Sequence, residues 1–220
     1  MSAIKKFFST RTPKFNFMQR VMNGHPFTLL DLGAGNHSPS KTTEIFPNCT
    51  YHGVDLNYDY EYTKEDIAAL KKFYEMDLTK LEFDEMPDGY YDYINMAHII
   101  EHLHNGDTVV EKIATKLKKG GYIYIEYPGK KSTTLPSMYG TLNFYDDPTH
   151  VRVYSVKELS ELLRKNGFEI VSSGTRRSWY YILLIPFTSM AYMLKGKRIP
   201  AAVLWDLMGF AEYVFAQKKS

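Results

Sequence analysis

The chain has 220 residues, a single cysteine and a formal charge of +2, with 27 basic and 25 acidic side chains mixed in sign along most of its length. That length suits one α/β domain with an appendage, and a hydrophobic fraction of 44% supplies an ordinary buried core. The charge balance excludes a general nucleic-acid surface and the lone Cys49 excludes an internal disulfide, while no apolar run follows Lys5 and Lys6 to form a cleavable signal.

Residues 1–25 carry Lys5, Lys6, Arg11, Lys14 and Arg20 with no acid, interleaved with Phe7, Phe8, Phe15, Phe17 and Met18. Basic residues mixed with aromatics suit an interfacial segment on an anionic membrane or a cap over a site. The plainer reading is a loosely packed arm, because Pro13 breaks any continuous helix.

The stretch Thr28-Leu29-Leu30-Asp31-Leu32-Gly33-Ala34-Gly35-Asn36 follows. It reads as a buried strand running into two glycines, which allow a sharp turn and let a ligand touch bare backbone. Asp31 inside the apolar run needs a partner such as free backbone N–H groups or a cation. Ser38 to Phe46 makes a short helix with Ser40 as its cap and Ile45 and Phe46 facing inward. Tyr51 to Asn57 is a second strand, and Asp55 at its end is placed to accept hydrogen bonds from the two hydroxyls of a ribose. The glycine loop lacks both the third glycine of the dinucleotide fingerprint and a triphosphate lysine, so a nucleoside fits better than a pyrophosphate.

Tyr58 to Tyr62 is tyrosine-rich and is expected near that nucleoside. Residues 62–73 give a helix with Ile67 and Leu70 inward, feeding a third strand from Phe73 to Leu78 that carries Asp77. A fourth strand, Tyr91 to Ala97, empties into His98-Ile99-Ile100-Glu101-His102. If these residues are helical, positions 98, 101 and 102 share one face. Thr108 to Lys119 is an amphipathic helix with Val109, Val110, Ile113, Ala114 and Leu117 buried and Gly120 as its stop. Strand five is Tyr122 to Pro128. Residues 129–154 have little regular pattern, as lids and binding loops do. Ser155 and Glu158 open a helix as a capping box, Gly167 closes it, and Phe168 to Ser173 and Glu212 to Gln217 are the last two strands. Between them, Ser178 to Leu194 carry no charge, are flanked by Arg176, Arg177, Lys195, Lys197 and Arg198, and are interrupted by Pro186. This run is too short for a membrane span, which needs about 20 apolar residues. It reads as an interfacial helical hairpin, or equally as a dimer interface or hydrophobic lid.

From Phe27 to Ile170 the chain resembles the class I S-adenosylmethionine-dependent methyltransferases of the small-molecule type. The matching pieces, in the family's order, are Asp31-Leu32-Gly33-Ala34-Gly35, Asp55, Asp77, Leu117 to Gly121, and His150 to Ser155 with Leu162 to Phe168. The resemblance implies an α/β fold with a Rossmann-like, doubly wound, seven-stranded sheet whose last strand is antiparallel. Here the apolar helical insertion, 176–208, lies between strands six and seven. Residues 1–26 would be the basic arm and 27–220 the methyltransferase domain. It also implies S-adenosylmethionine as donor, bound by Asp31, Gly33, Gly35, Asp55 and Asp77, with Asp55 on the ribose and Asp77 on the adenine amino group.

Methyl transfer to a hydroxyl needs a general base or a metal, because alcohols hardly ionise near neutral pH. His98, Glu101, His102 and His150 are suited to either. His98-x-x-Glu101-His102 with a later His150 is similar to the metal-binding pattern of small-RNA 2′-O-methyltransferases, which have Glu where this chain has His98. That replacement would shift a divalent site from Mg toward Mn, Fe or Zn. The stretch Asp146-Asp147-Pro148-Thr149-His150-Val151-Arg152 resembles one in methyltransferases of bacterial capsule, lipopolysaccharide and other glycan pathways, although Asp-Asp-Pro is also an ordinary turn opening. The expectation is an O-methyltransferase for a sugar or glycan hydroxyl, cytoplasmic, touching the inner face of a membrane through 1–25 and 178–205 or else paired as a homodimer. A quinone-like acceptor and a non-catalytic binding module are the alternatives. RNA is disfavoured, since no broad basic face is apparent.

Overall fold

The computed structural model describes residues 10–57 and 62–219. Lys5, Lys6, Phe7, Phe8 and the tyrosines at 58, 60 and 62 were singled out above; of these only Tyr62 falls within the described residues. In chain order the regular elements are α1 (Pro13–Met22), β1 (Phe27–Leu32), α2 (Ser38–Ile45), β2 (Cys49–Asp55), α3 (Lys64–Ala69), β3 (Lys72–Glu75) and β4 (Tyr91–Ala97). They continue as α4 (Gly106–Lys116), β5 (Leu117–Pro128), α5 (Val156–Lys165), β6 (Phe168–Thr175), α6 (Trp179–Leu194), α7 (Trp205–Met208) and β7 (Ala211–Lys218). The seven strands lie in the order β3-β2-β1-β4-β5-β7-β6. All neighbours are parallel except β7, which pairs antiparallel with both β5 and β6. The order reverses between β1 and β4, and ligands bind at such a switch point beyond the carboxyl ends of the strands.

Strand alternation builds two cores. Leu30, Leu32, Ile94, Met96, Ile123 and Ile125 face one side, with α4 and α5 over them. Leu29, Tyr93, Tyr124 and Phe215 face the other, covered by Met18 and Met22 of α1 and by Ile45 and Phe46. Pro13 therefore opens a helix rather than breaking one: it sits in the first turn, where its missing N–H costs no hydrogen bond. Met18 is fully buried and Phe17 stacks on Phe215 at 4.6 Å, so this half of the arm is a packed layer of the domain.

Four local expectations are corrected. The cap position of α2 is His37 in a left-handed conformation, and Ser40 lies inside the helix, where its hydroxyl donates to Asp66 Oδ1 at 2.5 Å. The helix after Thr63 is only six residues and leaves Ile67 half exposed. Its buried residue is Asp66, which gathers Thr63, Ser40 and His37 and is held well below the carboxylate range, because those hydrogen bonds outweigh the cost of its burial. Strand β3 stops at Glu75, and Leu78 opens a separate 3₁₀ turn. The insertion is no hairpin of matched helices: α6 runs unbroken for 16 residues through an outward-facing Pro186, and only short turns follow it.

Candidate active site

The turn after β1 is shaped by Gly33, whose φ is +74° and whose place leaves no room for a Cβ, which would stand 2.0 Å from Ile99 Cδ1. Gly33 and Ala34 donate their N–H groups to Val54 O, tying the turn to the end of β2. Asp55 accepts from Gly35 N at 3.0 Å and Leu56 N at 2.8 Å. Its carboxyl is raised above the usual range because burial outweighs those two bonds. Asp31 is buried, and its expected partners are side chains: Tyr51 Oη at 2.5 Å, Ser38 Oγ at 2.6 Å, the Asn95 amide, and Lys14 Nζ at 3.5 Å. Lys14 brings α1 to the donor end of the site, a contribution the arm's composition did not disclose.

The glycine turn and Asp55 border a cleft of about 820 Å³, lined at one end by Gly33, Gly35, Asp55 and Asn95 and at the other by His98, His102, Glu126, Thr149, Arg176 and Trp205; the buried Asp31 is not among its lining residues. Asp77 does not line it. Its carboxylate closes its own turn by accepting from Thr79 N and Oγ1, at 2.9 and 2.7 Å.

Beyond β4 the chain enters the left-handed region at His98 and makes one 3₁₀ turn, Ile100–His102, so the expected common helical face does not form. His98 Nδ1 lies 3.3 Å from Glu101 Oε1 and Nε2 lies 3.1 Å from Glu126 Oε1. Burial opposes its charge, but the two carboxylates prevail and push its pKa up to about 9. His98 is thus an imidazolium with both nitrogens engaged. Glu126 also faces Arg176, which in turn faces Asp206. Glu126 is lowered to about 2, because Arg176 and His98 together overcome its burial.

His102 and His150 stand apart from this row of charges, their ring centroids 4.8 Å apart. The backbone carbonyl of Glu101 brings them together by accepting from Val151 N and Arg152 N. Thr149 Oγ1 donates to Asp147 Oδ1 at 2.6 Å, so it accepts from His102 Nδ1 at 2.9 Å. In the neutral ring that chain places the His102 proton on Nδ1 and the lone pair on Nε2. His150 Nδ1 donates to Phe144 O at 2.7 Å, and its Nε2 lies 3.8 Å from Asp147 Oδ2. Glu101 is buried with both oxygens outside hydrogen-bonding geometry among the described residues. One ligand atom each from Glu101, His102 and His150 lies within 4.8 Å of the others, and His98 stands outside this trio. Asp146 instead pins the loop, accepting from Met138, Leu142 and Asn143 N–H groups.

A sheet of this order, with a glycine turn and a strand-end acid at one end of its cleft, is the fold of the S-adenosylmethionine-dependent methyltransferases. The family model for the methyltransferase domain matches residues 2–173, and the chain belongs to that family. No curated protein matches it significantly. In fold it is similar to an S-adenosylmethionine-dependent methyltransferase from Mesorhizobium loti, with TM-score 0.61 and 12% identity over 93% of this chain and 97% of that one. One from Archaeoglobus fulgidus gives 0.54 and 19%, over 92% and 94%. The 1,6-didemethyltoxoflavin-N1-methyltransferase of Burkholderia thailandensis, solved with its substrate and S-adenosylhomocysteine, gives 0.56 and 16%, over 96% and 79%. No helix among the described residues is long and apolar enough to cross a membrane.

Proposed function

We propose that the protein transfers the methyl group of S-adenosylmethionine to a hydroxyl of a sugar or related polyhydroxyl acceptor, with His102 as general base. The observation that carries this reading is the Asp147–Thr149–His102 chain, which in the neutral ring keeps the proton on Nδ1 and makes Nε2 the acceptor on a residue lining the cleft. The acceptor oxygen attacks the methyl carbon, the carbon–sulfur bond breaks with its electron pair going to sulfur, and the hydroxyl proton passes to His102 Nε2. Support for a polyhydroxyl acceptor is the polar character of that end: Glu126, Asp147 and Thr149 offer hydrogen bonds, and Trp205, fixed by Nε1 donating to Thr141 O at 2.8 Å, offers an apolar ring face. In this reading Gly33, Gly35 and Asp55 serve the donor, and Asp31, which does not line the cleft, holds Lys14 and Ser38, which do.

The burial of Glu101 beside His102 and His150, with Oε1 3.3 Å from His98 Nδ1 and Oε2 without a hydrogen-bond partner among the described residues, favours a second reading of the same site. Glu101, His102 and His150 would hold a divalent cation such as Mn, Fe or Zn, a two-histidine, one-carboxylate set. Such a cation would acidify the acceptor hydroxyl. One experiment separates these readings. His102→Ala is expected to slow methyl transfer to sugar acceptors about 100- to 10,000-fold with S-adenosylhomocysteine affinity unchanged, and a fully active variant would remove His102 from the mechanism. Activity of the native protein that survives exhaustive chelation leaves His102 as the base, whereas loss restored by Mn²⁺ assigns the trio to a metal. Failure to bind S-adenosylmethionine at all would revive the binding-module alternative.

A further inference from the structure

We infer that α6 and the arginine-lined pocket at its root form a docking surface for an anionic lipid bilayer. Trp179, Leu183, Phe187, Met190 and Leu194 recur at steps of three and four and are 60–80% exposed, so they form one outward stripe. No residue of the helix is buried and none is charged. A 16-residue helix is about 24 Å long, and an apolar stripe of that length is more than a water-facing surface normally carries. It is too short to span a bilayer but suits a helix lying in the headgroup plane, with a tryptophan at its edge.

The pocket is an independent observation. Between α1 and the start of α6 lies a recess of about 410 Å³ lined by Arg11, Arg20 and Arg177 together with Trp179, Tyr180 and Tyr213, and no carboxylate among the described residues lines it. Arg177 Nη1 donates to the backbone carbonyls of Asp206 and Leu207 and its charge also reaches the Asp206 carboxylate, while Arg20 lies over the Phe17 ring. Three arginines from separate segments suit a phosphate group. Trp179 belongs to both stripe and recess, making one continuous surface. Self-association fits worse. Arg177 precedes the stripe and Lys195, Lys197 and Arg198 follow it, so a second copy paired along it, in either direction, brings like charges together. An anionic bilayer complements both ends. Arg176 lines the catalytic cleft and its neighbour Arg177 lines the recess, so docking sets the cleft beside the headgroups.

The test is flotation of the full chain with vesicles of phosphatidylcholine alone or with about 30% phosphatidylglycerol. Binding is expected only to the anionic vesicles and weakens in about 1 M salt. The double variant Leu183→Glu/Phe187→Glu should abolish it while S-adenosylhomocysteine affinity and circular dichroism stay unchanged. Arg20→Ala should weaken it about five-fold. No binding to anionic vesicles, or binding that the double variant leaves intact, overturns the inference. So does a concentration-dependent dimer that the double variant dissolves, which would make a second copy the occupant.

Discussion

Proton position separates histidines that look alike in sequence. His98, with a carboxylate on each nitrogen, is charged at neutral pH, while His102 and His150 each turn Nδ1 toward an uncharged oxygen, that of Thr149 or of the Phe144 carbonyl. The spacing identified all three, yet tautomers depend on Thr149, Asp147 and the Phe144 carbonyl, none of which has a fixed sequence distance from its histidine. Because the folded pKa of His98, about 9, exceeds the ordinary 6.5, its stabilising effect is complete below pH 6.5 and is lost as pH rises through 9. Urea titrations should therefore show stability falling across that window by on the order of 3 kcal/mol. His98→Gln should flatten the slope, and an unchanged slope would show that His98 is neutral. Asp55 was legible from its place at the end of a strand twenty residues or so past the glycine turn. Asp55→Ala should lower S-adenosylhomocysteine affinity about 10- to 100-fold in calorimetry; unaltered affinity would remove it from the ribose.

At the scale of elements, turns were harder to read than strands. β1, β4 and β7 stand close to their expected bounds because each is a dense apolar run, whereas α3 and the 3₁₀ turn at Ile100 are too short for periodicity to reveal a face. Ile67 was assigned inward on a two-turn pattern, but the Asp66 hydrogen-bond cluster sets the helix's rotation instead. The glycine turn belongs to this scale, since its shape depends on β2 and on Ile99 as much as on Gly33. Gly33→Ala should cost about 1–2 kcal/mol from the left-handed backbone alone and should also weaken donor binding. Adding Ile99→Ala would relieve the contact at 2.0 Å but not the backbone cost. Guanidinium unfolding of the single and double variants would separate the two contributions, and a Gly33→Ala protein as stable as the parent would show that the turn relaxes freely.

The order of motifs carried the whole-molecule architecture, while the parts that wrap it were hidden. Composition made residues 13–22 resemble a loose arm because their apolar side chains have no visible partner until β7 supplies Phe215 and Tyr213. Met18→Ala should cost about 2–4 kcal/mol by thermal unfolding, as a cavity in a shared core does. A loss below about 0.5 kcal/mol would mean that α1 contributes little to the domain. The placement of β7 has a further result for synthesis. Residues 211–218 leave the ribosome after both strands they separate, so β5 and β6 must wait with open edges while α6 and its apolar stripe are already outside. The sheet can close only when this late strand enters between its two elders, a long-range step of the kind that slows folding, so the nascent chain exposes apolar surface that the finished sheet covers.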